Sequence, residues 1–175
     1  MSNPTKTIVV LGATGQQGGA VAAALRADGW TVRAVVCDPS AARARALAAT
    51  GVETVRGDLG EPRSLHAAFS GAHGVFSVQP NSGQAGATVT NEDEVRFGTT
   101  VADTAERSGV AHLVYSSTVA AGPTPTGVAH LDTKSTIERH VRSLGIAHTI
   151  IRPATFMELL LPPGMGLISK DTCPS

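Results

Sequence analysis

Residues 130–134 read HLDTK, which sets an imidazole and a primary amine four positions apart. On a helix that spacing puts His130 and Lys134 on one face, and the same face continues through Ile137, Val141 and Leu144. Both side chains therefore turn towards whatever the helix packs on. An imidazole, with a reference pKa of about 6.5, can give or take a proton near neutral pH. A lysine can lay its methylenes along apolar surface while its ammonium meets a hydroxyl. Ser116 and Ser117 end the apolar run HLVYSS and add two hydroxyls able to hydrogen-bond a carbonyl. Each has a plainer reading: a snorkelling lysine, an ordinary core or surface histidine, turn-forming serines. Their surroundings decide.

A second group lies near the start. GATGQQGG follows the apolar run TIVVL, placing Gly12, Gly15 and Gly18 at three-residue spacing, with Gly19 adjacent, ahead of a helical segment carrying Val21, Ala22 and Leu25. Strand, glycine turn and helix in that order build either a tight turn with no ligand or a pyrophosphate site, and their coincidence favours the site. The first glycine permits the tight turn, the second lets the backbone approach the phosphates, the third brings helix against strand, and free helix N–H groups face the anion. Thr14 and Gln16 either line the same turn or stay solvated. Asp38, twenty positions after Gly18, either takes a ribose 2′-hydroxyl, which favours NAD, or caps a helix ahead of Pro39. Arg43 and Arg45 are near enough to meet a 2′-phosphate or simply stay solvated. Asp58, in VRGDL, either accepts from an adenine amino group or caps the following turn.

The elements that must position these groups are legible as period. Six apolar runs, starting near residues 7, 31, 52, 74, 112 and 148, alternate with segments of helical period. That alternation predicts an α/β doubly wound parallel sheet, a Rossmann fold, whose ligands bind beyond the strands' carboxyl ends where strand order reverses. Gly29, Gly109 and Gly145 sit where left-handed residues end helices, and Asn91 with Glu94 has the spacing of a capping box. The polar, glycine-rich connection 79–90 is expected to lie over the carboxyl edge as a mobile loop, with Gln79 at its root among the cofactor contacts.

Lys plus Arg and Asp plus Glu number 14 each, so no long-range field draws the chain to nucleic acid or an anionic membrane. Two cysteines, Cys37 and Cys173, suit a reducing compartment, and the remaining histidines show no metal-ligand spacing. No signal-peptide pattern opens the chain, and Arg152, Pro153 and Glu158 interrupt the best apolar stretch. The expectation is a cytoplasmic protein with one domain over residues 6–161 and an unassigned tail at 162–175.

GATGQQGG, RGD at 56–58, YSS at 115–117, HLDTK and IIRPATFMELL at 150–160, in this order, resemble the NmrA-like family of atypical short-chain dehydrogenases/reductases. The resemblance implies a domain that binds NADP(H) or NAD(H), in proteins that include redox-sensing regulators of transcription factors and quinone-type reductases. It assigns Gly12, Gly15 and Gly18 to the pyrophosphate, Asp58 to the adenine side, Lys134 to the nicotinamide ribose, and Pro153 and Phe156 to flanking the nicotinamide. Two residues depart from the pattern. Cys37 stands where the family often has an arginine for the 2′-phosphate, and His130 stands where the superfamily's dehydrogenases carry their tyrosine. A misplacement of about 1 Å can cost roughly a hundredfold in rate, so the shorter imidazole is not expected to preserve ketone chemistry.

The expected function is a redox-sensing dinucleotide binder that reports to a protein partner such as a transcription regulator. The alternative is an NAD(P)H-dependent quinone-type oxidoreductase, in which Lys134 places the cofactor and Ser116 or Ser117 meets the substrate. Family members usually continue into a smaller lobe closing the substrate cleft. The expectation is either a fragment or an unusually short chain, and a short chain is expected to leave apolar surface near 156–161 for a partner or a second copy to cover.

Overall fold

The computed structural model describes residues 6–83 and 88–157. The tail at 162–175, positions 158–161 of the expected domain and part of the 79–90 connection lie outside the described residues. Six strands form one sheet: β1 (Thr7–Val10), β2 (Thr31–Val36), β3 (Glu53–Arg56), β4 (Gly74–Ser77), β5 (His112–Ser116) and β6 (His148–Ile151). The helices are α1 (Gln16–Ala27), α2 (Ala42–Ala49), α3 (Pro62–Phe69), α4 (Asn91–Arg107) and α5 (Ala129–Ser143). Every pairing is parallel and the strand order is β3-β2-β1-β4-β5-β6, so the chain reverses its direction of travel across the sheet at the β1/β4 boundary. All six strands fall on the apolar runs of the sequence.

Alternation along each strand splits the core in two. Val9, Leu11, Val75, Leu113 and Tyr115 pack with Leu65, Phe69, Val101, Ile137 and Val141 of α3, α4 and α5. Val10, Val32, Ala34 and Phe76 face the other way, against Ala22 of α1 and partly buried Leu47 of α2.

Helix ends correct three readings. Gly29 and Gly109 have φ of 84° and 69°, but Gly145 is not left-handed and its N–H donates to Glu106 Oε1 at 2.5 Å. The capping box of α4 lies one residue earlier than Asn91 with Glu94. Thr90 Oγ1 accepts from the Asp93 N–H at 3.0 Å, and Asp93 Oδ2 accepts from the Thr90 N–H at 3.1 Å. Glu94 is thereby turned inward. Asp38 does not cap α2, which begins after Ala41; its Oδ1 instead accepts from the backbone N–H and hydroxyl of Ser40 at 2.8 and 2.7 Å, a closed Asx-turn.

Candidate functional site

The crevice at the β1/β4 boundary is built by the glycine turn on one side and the end of β4 on the other. Gly12 has φ of 65°, and a Cβ there would come within 2.9 Å of Val78. A Cβ at Gly18 would collide with the Gly12 carbonyl, so only hydrogen lets α1 start this close to the turn. The turn closes through the Gly15 N–H donating to Gly12 O at 2.9 Å, and the Gly19 N–H then donates to Gly15 O at 2.9 Å. The N–H groups of Gln16, Gln17 and Gly18 open the helix with no backbone acceptor among the described residues. They are the free donors an anion would take, at the positive end of the helix dipole. Thr14, Gly15 and Gln16 are exposed around this mouth.

Gln17, absent from the sequence reading, ties the turn to β5: its amide donates to Ser116 Oγ at 2.8 Å. Nothing in the motif separates it from Gln16, because the pitch of α1 decides which of the two adjacent glutamines reaches β5. Gln79, just past β4, is 2% exposed and donates to Ser77 Oγ at 2.8 Å, while its Oε1 has no partner. A buried acceptor left open at a crevice calls for a donor from water or a bound molecule. Together the cradle and this open acceptor fit a dinucleotide.

The second half of the site is held between α4 and α5. Gly98 admits Ile137 so closely that a Cβ would meet its side chain at 2.7 Å. One turn nearer the carboxyl edge, that close approach brings Glu94 and Lys134 together, with Nζ 2.5 Å from Oε1. Glu94 is 0% and Lys134 7% exposed. The Thr133 hydroxyl donates to the other carboxylate oxygen, Oε2, at 2.8 Å. Lys134 is thus neither snorkelling nor free. His130 is half-buried one turn earlier, with the backbone of Gly83 against its ring, so the 79–90 connection does reach the face carrying HLDTK.

Behind them lies a second buried carboxylate. Glu138 accepts from Arg152 Nε and Nη2 at 2.8 and 2.6 Å and pairs with Arg142 at 2.8 Å. Burial pushes its carboxyl up, but the bonds from Arg152, the nearby Ser117 hydroxyl and the Arg142 pair outweigh it and hold the pKa at about 2. The Ser117 hydroxyl is buried there and completes no hydrogen bond of ordinary geometry. Tyr115, the chain's single tyrosine, is 1% exposed on β5 and faces α4 and α5. Burial first, then the charges of Glu94 and Glu138, push its phenol above the ordinary range. Its side chain therefore lies in the core between β5 and the α4 and α5 layer.

Asp58 and Asp38 are exposed at the far end of the edge. Asp58 Oδ1 accepts from the Gly60 N–H at 2.7 Å and closes the turn before α3, leaving its second oxygen for another donor. Arg56, at the end of β3, pairs in register with Val36 and contributes positive charge near Asp38, whose carboxyl is held below the ordinary range chiefly by Ser40. Cys37 beside it is exposed and free. Pro153 is half-buried, its carbonyl accepting from the Val119 N–H at 3.0 Å, and Phe156 is 38% exposed. Among the described residues no group of three His, Cys, Asp or Glu is placed to hold a metal ion, and no helix is long and apolar enough to cross a membrane.

The profile of the NmrA-like family matches residues 4–174. The chain belongs to the NmrA-like family. Among curated members, an NmrA-like family domain-containing oxidoreductase, hkm9, of Aspergillus hancockii is 38% identical over 118 residues, covering 67% of this chain and 35% of that protein. Triphenylmethane reductase of Citrobacter sp., solved with NADP(H), superposes with a TM-score of 0.74 at 29% identity, covering 88% of this chain and 51% of that one. NmrA, a negative transcriptional regulator solved with NAD and with NADP, gives 0.70 at 34% identity over 86% of this chain and 45% of that one. This NmrA-like chain thus spans about a third of that curated relative and about half of these structures.

Proposed function

We propose that this chain is the nicotinamide-dinucleotide-binding domain, residues 6–161, of an NmrA-like protein, and that it works as a redox-sensing binder, reporting cofactor state to a protein partner in the cytoplasm. The observation that carries the reading is the cradle at Gly12–Gly18, a left-handed turn and a Cβ-free contact that leave three helix N–H groups without acceptors. Gly12, Thr14, Gly15, Gln16 and Gly18 take the pyrophosphate, Asp38 and Asp58 the adenosine side, and Gln79, Lys134, Pro153 and Phe156 the nicotinamide side. NADP-bound and NAD-bound relatives support the ligand class. An ionised Asp38 beside the β2 edge opposes a 2′-phosphate while Arg56 attracts one, so the balance of these two charges selects between NAD(H) and NADP(H).

Binding without turnover is favoured because the one tyrosine is buried away from the crevice and His130 is packed under Gly83. The second reading, a quinone- or dye-type reductase, draws on the triphenylmethane reductase and oxidoreductase relatives. The cofactor supplies the hydride in such a reaction. Lys134 would orient the ribose, Ser116, held by Gln17, would meet the acceptor with Ser117 beside it, and water would return the proton, so no tyrosine is required. Calorimetric titration with the four nicotinamide dinucleotides tests the first reading, and failure of all four to bind ends it. Steady oxidation of NADPH or NADH with a quinone and dye panel, abolished in Ser116→Ala, would replace the sensor reading by the reductase.

A further inference from the structure

Lys134 reaches the carboxyl edge already engaged. Its Nζ lies 2.5 Å from Glu94 Oε1, and among the described residues Glu94 is its only polar partner. The contact is an ion pair without the alignment of a hydrogen bond, since Glu94 Oε1 completes none, so the N–H groups of the ammonium stay open to other acceptors. Glu94 belongs to the first turn of α4, where the helix dipole favours a carboxylate, and Thr133 fixes its second oxygen at 2.8 Å. The carboxylate cannot rotate away without breaking that bond, and the close packing of Gly98 on Ile137 fixes the two helices against each other one turn below. A buried ion pair adds little net stability compared with two well-packed apolar side chains, so what this pair supplies is direction.

We propose that Glu94 is a positioning residue: as counter-charge it sets the ammonium of Lys134 in place before the ligand arrives, so that its N–H groups meet the ribose on the nicotinamide side. The inference rests on the dinucleotide-binding reading above and extends it to a carboxylate that touches no part of the ligand. A lysine left to search its rotamers would lose that freedom on binding; one held in advance has already lost it. The gain belongs to the nicotinamide half of the ligand alone, because the adenine half lies at the Asp38 and Asp58 end of the edge.

The test compares whole and half ligands. Dissociation constants for NADPH, NADH, 2′,5′-ADP and 5′-ADP are measured by calorimetry on the wild-type chain, Glu94→Gln, Glu94→Asp, Lys134→Met and the double variant Glu94→Leu/Lys134→Met. Glu94→Gln is expected to weaken the dinucleotide that binds by about tenfold, the cost of one long side chain ordered only on binding, and to leave the ADP fragments within about twofold. If Glu94→Gln does not fold, Glu94→Asp, which keeps the charge but withdraws it by one methylene from Lys134, carries the comparison: wild-type affinity for the fragments with a dinucleotide weakened about tenfold supports the role. Glu94→Gln binding the dinucleotide as wild type, or either variant weakening fragments and dinucleotide equally, overturns it. A wild-type chain that binds fragments and dinucleotide upholds the underlying reading whatever the variants do. A wild-type chain that binds neither overturns both.

Discussion

Replacing Lys134 by methionine keeps the length of the side chain and removes its charge, leaving the Glu94 carboxylate buried with only the Thr133 hydroxyl as partner. Breaking a buried pair in this way costs about 3–5 kcal/mol, because the surviving ion has neither water nor a counter-charge. For a chain of this size that lowers Tm by roughly 6–20 °C. Replacing Glu94 by leucine in the same molecule removes the stranded charge, and Thr133 retains the His130 carbonyl at 3.0 Å. The double variant is therefore expected within about 1 kcal/mol of wild type, a coupling of about 2 kcal/mol or more across the cycle. Urea unfolding followed by circular dichroism, with wild type, Lys134→Met, Glu94→Leu and the double variant at one pH, reads these differences as shifts in midpoint at constant slope. If Lys134→Met unfolds at the wild-type midpoint, or the double variant is as unstable as the sum of the singles, the pair is not buried and coupled as described, and the positioning argument loses its base.

The remaining predictions follow from other parts of the edge. Gly18→Ala forces a methyl group into the Gly12 carbonyl, so dinucleotide affinity should fall at least a hundredfold in calorimetry, with α1 shifted or the protein destabilised by about 1–3 kcal/mol. Glu138, held from its ordinary 4.5 down to about 2, contributes stability that is full above about pH 4.5 and is lost as pH falls towards 2. That gap is worth up to about 3 kcal/mol, and denaturation midpoints of Glu138→Gln should be correspondingly flatter than wild type between pH 5 and pH 2. Asp38→Ala removes the anion at the end of β2 while keeping Arg56, so the ratio of NADPH to NADH affinity should rise about tenfold; an unchanged ratio removes Asp38 from cofactor selection.

The sheet was legible because the strands fall on short apolar runs separated by segments of helical period, and the all-parallel order follows from helices long enough to cross back between them. The glycine turn was legible for the same reason, since its three positions are fixed by sterics that a sequence shows directly. What escaped was the content of the α4/α5 contact. TNEDE offers two capping-box frames one residue apart, and the hydroxyl of Thr90 outcompetes the Asn91 side chain, which turns Glu94 through about 100° onto the buried face. Its spacing of four to Gly98 was the available signal, but a glutamate on an apolar stripe reads as surface until its partner is known. The Lys134 pairing depends on the distance between two helices, and no single segment encodes that. Gln17 was passed over for Gln16 because the pitch of α1, not the motif, decides which of two adjacent glutamines points to β5. Asp38 illustrates the reverse error: Asp-Pro predicts a cap, but Ser40 captures the carboxylate first and delays the helix to Ala42.

The most direct measurement is a calorimetric titration of the wild-type chain with NADPH, NADH and their oxidised forms, with inorganic pyrophosphate as competitor. One-to-one binding of at least one redox pair, weakened by pyrophosphate and by rising salt, is the predicted result. No heat from any of the four, or binding that pyrophosphate leaves untouched, would contradict it.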